Sequence, residues 1–188
     1  MHAYDNGMGP DKFSILTGLS LNDAKKLLLV CEKKFPEVAK GYHPWVREQL
    51  QKNRTLVNAY GRPHTFLDRL DDELFRRGYS YYQQSSVGDH VKLAYGDFYY
   101  EKDPDWEADL LLTMHDSVTY QILPSPTFIW ESVLLLKSFM ERPMRILDKS
   151  DLSIPAEFSL GRSFRGLYPF KTKDEITHLL RKLRYANA

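Results

Sequence analysis

Residues 110–123 read LLLTMHDSVTYQIL. Two apolar, β-prone runs, residues 110–114 and 118–123, flank a polar knot of His115, Asp116 and Ser117. The pattern predicts two strands joined by a tight turn, with Pro124 and Pro126 breaking the chain after the second. In such a hairpin the strands bury one face while the tip stands in solvent or a cleft. The Asp116 carboxylate is thus pre-positioned and unencumbered. Asp and Ser are also ordinary turn residues, so three residues alone do not specify a chemistry.

Outward from this hairpin, the chain alternates helical and extended patterns. Asn22 can cap a helix with apolar positions Ala24, Leu27, Leu28 and Cys31. Phe35-Pro36 ends it and starts another, carrying Val38, Tyr42, Trp45, Val46 and Leu50, which Gly41 and Pro44 should kink or split. In TLVNAYGRPHTFL, residues 55–67, two β-prone runs surround Gly61-Arg62-Pro63 as a second hairpin. A long helix spans about residues 71–100, with Val87, Val91, Ala94 and Phe98 on one face and Asp89 and Lys92 elsewhere. Tyr79, Tyr81 and Tyr82 read as packing residues of this helix. After the 110–123 hairpin an apolar helix covers residues 127–140. Ile154, Ala156, Phe158 and Leu160 alternate as a strand. Thr172 and Glu175 form a capping box before a last helix with Ile176, Leu179, Leu180 and Leu183. The basic residues Arg181, Lys182 and Arg184 complement its C-terminal dipole. The mixed order of elements makes the class α+β.

Composition narrows the field. The chain has 188 residues, 43% of them hydrophobic, enough for a domain with a real core. No apolar run approaches the ~20 residues of a membrane-spanning helix, and the N-terminal residues lack signal-peptide character. The single cysteine, Cys31, excludes an internal disulfide and a Cys-rich zinc site, pointing to a reducing compartment. A net charge of +1 excludes a histone-like wrapper but not an enzyme whose basic face and carboxylates cancel in the sum.

Taken in order, several segments carry a likeness: HAYDNGMGP (2–10), FPEVAKGYHPW (35–45), TLVNAYGRP (55–63), RRGYSYYQQSSVGDHVKLA (76–94), the HDS turn and IPAEFSLGRSF (154–164). The set resembles the C-terminal part of family A, DNA polymerase I-like, DNA polymerases. That family has a fingers helix ending in a YGM-like motif, a T-x-x-GR hairpin and an R-x-x-N-x-P-x-QG-x-x-x-D-x-x-K-x-A helix. A strand ending in HDE and an I-P-L-E-V-E-V-G strand follow. The likeness spans roughly residues 1–170. The capped helix beyond has no counterpart in it.

The resemblance implies a palm-type antiparallel sheet with an HD hairpin, packed by long helices, plus the trailing fingers helices. Residues 1–53 would belong to the fingers, 54–170 to the palm, and 171–188 to a helical extension. It implies that Asp116 ligates a catalytic Mg²⁺ pair and that His115 touches the primer end. Gln84 would meet minor-groove acceptors, which sit in similar places in every Watson–Crick pair. Arg62, Arg76 and Ser80 would contact DNA. The implied partners are primer–template DNA and deoxynucleoside triphosphates, with a cytoplasmic location, at the nucleoid or in the host cell if phage-encoded.

Departures qualify the likeness. The family's HDE is HDS here, its helix Asn and Pro are Ser80 and Tyr82, its Gly after Gln is Ser85, and its fingers Tyr falls at Asn6. The family's second palm Asp and the Lys and Arg that hold the triphosphate precede the residues matched here. The expectation is therefore a polymerase portion that needs the N-terminal portion as a separate chain or missing region. Single-subunit RNA polymerases also carry an HDS turn, which keeps that reading open. So does a non-catalytic remnant that binds DNA or protein. No exonuclease motif is visible.

Overall fold

The computed structural model describes residues 2–146 and 150–185, leaving Met1, residues 147–149 and residues 186–188 outside; the Arg184 side chain, expected to join the C-terminal basic group, is also outside the description. The chain divides into two compact units, Met1–Ser86 and Val87–Ala188.

In the first unit, a helical turn α1 (His2–Asp5) leads to α2 (Pro10–Thr17) and α3 (Leu21–Lys34). Pro10 opens α2, where its missing N–H costs nothing, and Gly18 closes it in the left-handed region at φ +71°. The cap of α3 is Ser20, not the expected Asn22: the Ser20 hydroxyl accepts from the Asp23 N–H at 3.2 Å. Ser20 is in extended geometry, and its hydroxyl in turn donates to the Asp23 carboxylate at 2.7 Å, so the two side chains hold each other at the first turn. Of the four apolar positions expected on α3, Ala24 is buried and Leu27 is 45% exposed.

The predicted break in the next helix is present. A π-helical turn, Val38–Tyr42, precedes α4 (His43–Asn53). Pro44 lacks the N–H that would bond the Lys40 carbonyl, so the ladder cannot run through regularly. Strands β1 (Thr55–Val57) and β2 (Pro63–Thr65) pair antiparallel, Thr55 opposite Thr65. Helix α5 (Asp72–Glu101) begins here, and its first half completes a core of Val46, Leu50, Leu56, Phe66, Leu74, Phe75 and Tyr79. Gly78 makes this packing fit: a Cβ there would stand 2.7 Å from Leu50 Cδ1 and 2.9 Å from Val46 Cγ1.

The second unit takes the rest of α5, with Val91, Ala94 and Phe98 buried as the helical period predicts. Strands β3 (Asp109–Met114) and β4 (Ser117–Gln121) follow, then α6 (Pro126–Met140), capped by Ser125. Two small hairpins, β5 (Met144–Ile146) with β6 (Ser150–Leu152) and β7 (Phe158–Leu160) with β8 (Tyr168–Phe170), precede α7 (Lys173–Tyr185). The alternation expected from Ile154 to Leu160 exists in burial, but only its last three residues are strand. Pro155 cannot donate to a ladder. Half of the expected capping box is present: the Glu175 N–H donates to Thr172 Oγ1 at 3.3 Å, while the Glu175 carboxylate reaches one residue beyond the cap and accepts from the Lys171 N–H at 2.6 Å. Apolar residues of α6, β8 and α7, among them Ile129, Phe170, Ile176 and Leu179, form one cluster. Phe98, Ala108 and Leu136 form another.

The class is α+β. Where the sequence suggests a palm-type sheet, the described residues carry four separate two-stranded antiparallel sheets. No helix among the described residues is long and apolar enough to cross a membrane.

Candidate nucleic-acid and metal site

The candidate residues fall into two groups, one in each unit. In the first unit the Gly61-Arg62 turn is built around Asn58. Its buried side chain accepts from the Tyr60 N–H (3.0 Å) and the Arg62 N–H (2.9 Å), and donates to Ser85 Oγ (2.8 Å). Gly61 supplies φ +80°, which an L-residue rarely adopts. The turn is fastened to α5 at two further points: the Ala59 N–H donates to Ser86 Oγ (3.1 Å), and the Tyr81 hydroxyl donates to the Arg62 carbonyl (3.1 Å). Arg62, exposed at the tip, is thus presented by a fixed turn beside the stretch of α5 that carries Gln84.

Arg76, Ser80 and Gln84 recur at intervals of four, which puts them along one stripe of α5. Arg76 and Gln84 are exposed, and about 12 Å of helix axis separates them. Ser80 is half-buried, and its hydroxyl donates back to the Arg77 carbonyl at 3.1 Å. The stripe therefore offers a cation and an amide at its ends and a hydroxyl held against the helix between them. Ser85, which departs from the family pattern, finds its partner in Asn58. Sequence reasoning passed over Asn58, although an Asn three residues before a Gly-containing turn is a signal for such a role.

In the second unit, Met114 pairs with Ser117, leaving His115 and Asp116 as a two-residue turn. His115 stands at φ +54°, a conformation that costs a non-glycine residue roughly 1 kcal/mol and that tight hairpins require. The Ser117 hydroxyl donates to the Met114 carbonyl at 2.8 Å, bracing the base of the turn. The Asp116 carboxylate, by contrast, is exposed, with no hydrogen bond or ion pair to another described residue. A bulge lies between Leu110 and Leu112. All six residues of β3 are exposed, including Leu110 (40%), Leu111 (56%) and Leu112 (44%).

Asp116 and Ser117 also line a cavity of about 480 Å³ walled by α5, β4, α6 and residues 154–160. Glu157 lines the same cavity, a second carboxylate that sequence reasoning did not single out. Two hydroxyls on its wall, Tyr120 and Ser132, are buried without a hydrogen-bond partner among the described residues. Burial, and secondarily Tyr95, pushes the Tyr120 phenol up to about 12.

An unpartnered carboxylate on an exposed turn suits Mg²⁺, which takes one or two protein carboxylates and completes its shell with water and substrate phosphates. Among the described residues no three His, Cys, Asp or Glu side chains cluster to hold a metal. Asp116 thus fits part of such a donor set and not the whole.

No protein-family profile and no curated protein sequence matches the chain. Among solved structures, its fold is similar to that of the POL domain of Pol1 from M. smegmatis, a structure in complex with DNA primer-template and dNTP, with a TM-score of 0.62 and 20% sequence identity. The likeness covers 77% of this chain and 27% of that one, so the chain spans about a quarter of the length of the polymerase domain it matches.

Proposed function

We propose that this chain is the C-terminal fingers-and-palm portion of a template-directed DNA polymerase of the family A type. The observation that carries the reading is the polymerase-domain fold over 77% of the chain, reached independently of the segment order read in the sequence. In this reading residues 1–53 end the fingers, 54–170 belong to the palm and 171–188 form an added helical element. The reaction is attack of a primer 3′-hydroxyl on the α-phosphate of a deoxynucleoside triphosphate, with pyrophosphate leaving.

Each candidate residue has a task its surroundings allow. Asp116, exposed and unpartnered, offers oxygen ligands for Mg²⁺. Asp116 would hold such an ion together with ligands from the N-terminal portion, and the ion would supply charge stabilisation for phosphoryl transfer. His115, at the same tip, would contact the primer end. Arg62 and Arg76 provide charge for phosphate oxygens, and Gln84 provides an amide donor for the acceptors common to all base pairs. Ser80 lies between them on the stripe. The remaining metal ligands and the cations that hold the triphosphate come from the N-terminal portion of the polymerase, which we place on a separate chain or on a region preceding this one.

Primer extension tests this. The chain alone should give no extension, and the chain mixed with the N-terminal portion of a family A polymerase should restore it. Robust extension by the chain alone would overturn the split assignment. Ser117 favours a second reading, a portion of a single-subunit RNA polymerase. Incorporation of ribonucleotides in preference to deoxynucleotides by the restored enzyme would decide for it.

A further inference from the structure

The polymerase reading leaves the helix after residue 170 without a task, and the stretch that ends in it carries an excess of positive charge. From Phe158 to the C-terminus there are seven Lys or Arg against two acidic residues, a net of +5 in a chain whose total is +1. The two acids, Asp174 and Glu175, are consumed at the N-terminal end of α7, where they face the helix dipole and, for Glu175, accept from the Lys171 N–H. About two turns of helix separate them from Arg181 and Lys182.

The basic end of α7 does not stand alone. The loop between β7 and β8 is brought to it by Arg162, whose Nη1 donates to the Leu183 carbonyl at 3.3 Å. That carbonyl belongs to the last turn of α7, where it has no intrahelical partner. Lys182 lies with its Nζ 4.4 Å from the centroid of the Tyr168 ring, at the start of β8. The loop presents Arg165, exposed, and beside it Phe164 with 63% of its surface open to solvent. Helix-dipole stabilisation accounts for cations on α7. It does not account for Arg165 on a separate loop, nor for an open phenyl ring set between two arginines.

We propose that this surface binds single-stranded nucleic acid, with Arg165, Arg181 and Lys182 on the phosphate backbone and Phe164 stacking on an unpaired base. Arg162 is a positioning residue, holding the loop against the helix end. Cations spaced around an open aromatic ring form the combination by which strand-tracking grooves hold unpaired bases without reading sequence. A duplex would satisfy the cations but offers no base face to Phe164, so the single strand is preferred. The inference is independent of the polymerase assignment.

The test is fluorescence anisotropy with a 5′-labelled dT20 oligonucleotide and the full chain, in EDTA and without nucleotides, so that no polymerase chemistry contributes. The chain should bind dT20 more tightly than a blunt duplex of the same length. Phe164→Ala should weaken dT20 binding about ten-fold and leave duplex binding unchanged, with Phe164→Tyr restoring it. Replacing Arg165, Arg181 and Lys182 by Ala should flatten the dependence of log K on log salt by about 2, from about 0.7 per lost phosphate contact. Both positions on the loop are exposed, and an unchanged thermal melt verifies the fold of each variant. Absence of dT20 binding at low salt, or binding unaffected by these substitutions, would overturn the proposal. So would equal sensitivity of duplex binding to Phe164→Ala, or a preference for phosphatidylserine vesicles over dT20. Since extension is not measured, none of these outcomes bears on the polymerase reading, and failure of extension leaves this binding assay intact.

Discussion

The two hairpins that carry the candidate residues are built on opposite principles. The β1–β2 hairpin has strands of three residues, yet its turn is closed by Asn58 and fastened to α5 through Ser85, Ser86 and Tyr81. The β3–β4 hairpin has longer strands; β3, like β2, is exposed along its whole length, but the Asp116 carboxylate has no partner among the described residues. The first satisfies the polar groups of its turn from within its own unit. The second displays apolar side chains and an open backbone edge, the features that recruit another strand. One presents a cation from a rigid support; the other presents an exposed carboxylate beside an exposed apolar strand, which is where the proposed completion from elsewhere would act.

The sharpest break of this comparison is Asp116→Asn. In the enzyme restored with its N-terminal portion, we expect about a 10³-fold loss in single-turnover extension, because the proposed Mg²⁺ ligand is removed. Primer–template affinity should barely change, since phosphate contacts dominate it. Ser117→Ala, which removes only the brace to Met114, should cost far less. Equal losses from the two would mean that the tip acts through its shape and not through its carboxylate.

The first hairpin is broken through Asn58. Asn58→Ala leaves the Tyr60 and Arg62 N–H groups and Ser85 without their acceptor or donor, and should destabilise the first unit by about 3 kcal/mol in urea unfolding. Ser117→Ala, the parallel change in the second hairpin, should stay within about 1 kcal/mol, because its single bond is exposed. A cost below 1 kcal/mol for Asn58→Ala would show that the turn holds its shape without the network.

These two changes also mark what the sequence could and could not reveal. Both hairpins and the buried face of α5 were legible, because alternation and the 3.6-residue period are local signals carried by residues such as Val91, Ala94 and Phe98. The cap at Ser20 was missed because Asn22 lies nearer the periodic residues, and a cap depends on backbone geometry at one position. Strands β5, β6 and β8 were not legible, being three residues long and without alternation. The Asn58–Ser85 contact joins residues 27 apart, and only the folded chain brings them together. Arg62 and Gln84 were legible as candidates by resemblance, while their shared support was not.

A smaller effect is expected at the edge of β3. Leu111, at the bulge, is replaced by Lys to charge the edge. Stability should stay within about 0.5 kcal/mol, since the side chain is exposed. Size-exclusion chromatography of the unmodified chain should show concentration-dependent oligomers, and Leu111→Lys should shift them to monomer. The same change at Val57, exposed on the anchored hairpin, should leave the elution profile unaltered. A monomer at all concentrations in the unmodified chain would mean that the β3 edge is closed in solution.

The smallest effect separates the hairpins by sign. Tyr81 and Tyr120 each place a hydroxyl beside one hairpin. The Tyr81 hydroxyl donates to the Arg62 carbonyl, whereas the Tyr120 hydroxyl is buried on the cavity wall with no partner among the described residues. Removing a satisfied hydroxyl loses a bond; removing an unsatisfied one relieves a desolvation cost. Tyr81→Phe should therefore lower stability by about 0.5–1 kcal/mol, and Tyr120→Phe should raise it by about 1 kcal/mol. The pH dependence provides an internal check. Burial, with a lesser contribution from Tyr95, holds the Tyr120 phenol at about 12 in the folded chain against 10.0 for an ordinary tyrosine. The folded state thus keeps this proton over a range where the unfolded state has lost it. The associated stability is full below pH 10 and is lost as pH rises toward 12, so the advantage of Tyr120→Phe over the unmodified chain should widen across that interval. A loss of stability in Tyr120→Phe would show that the hydroxyl is bonded in solution, by water held in the cavity, and that the second hairpin satisfies its polar groups as fully as the first.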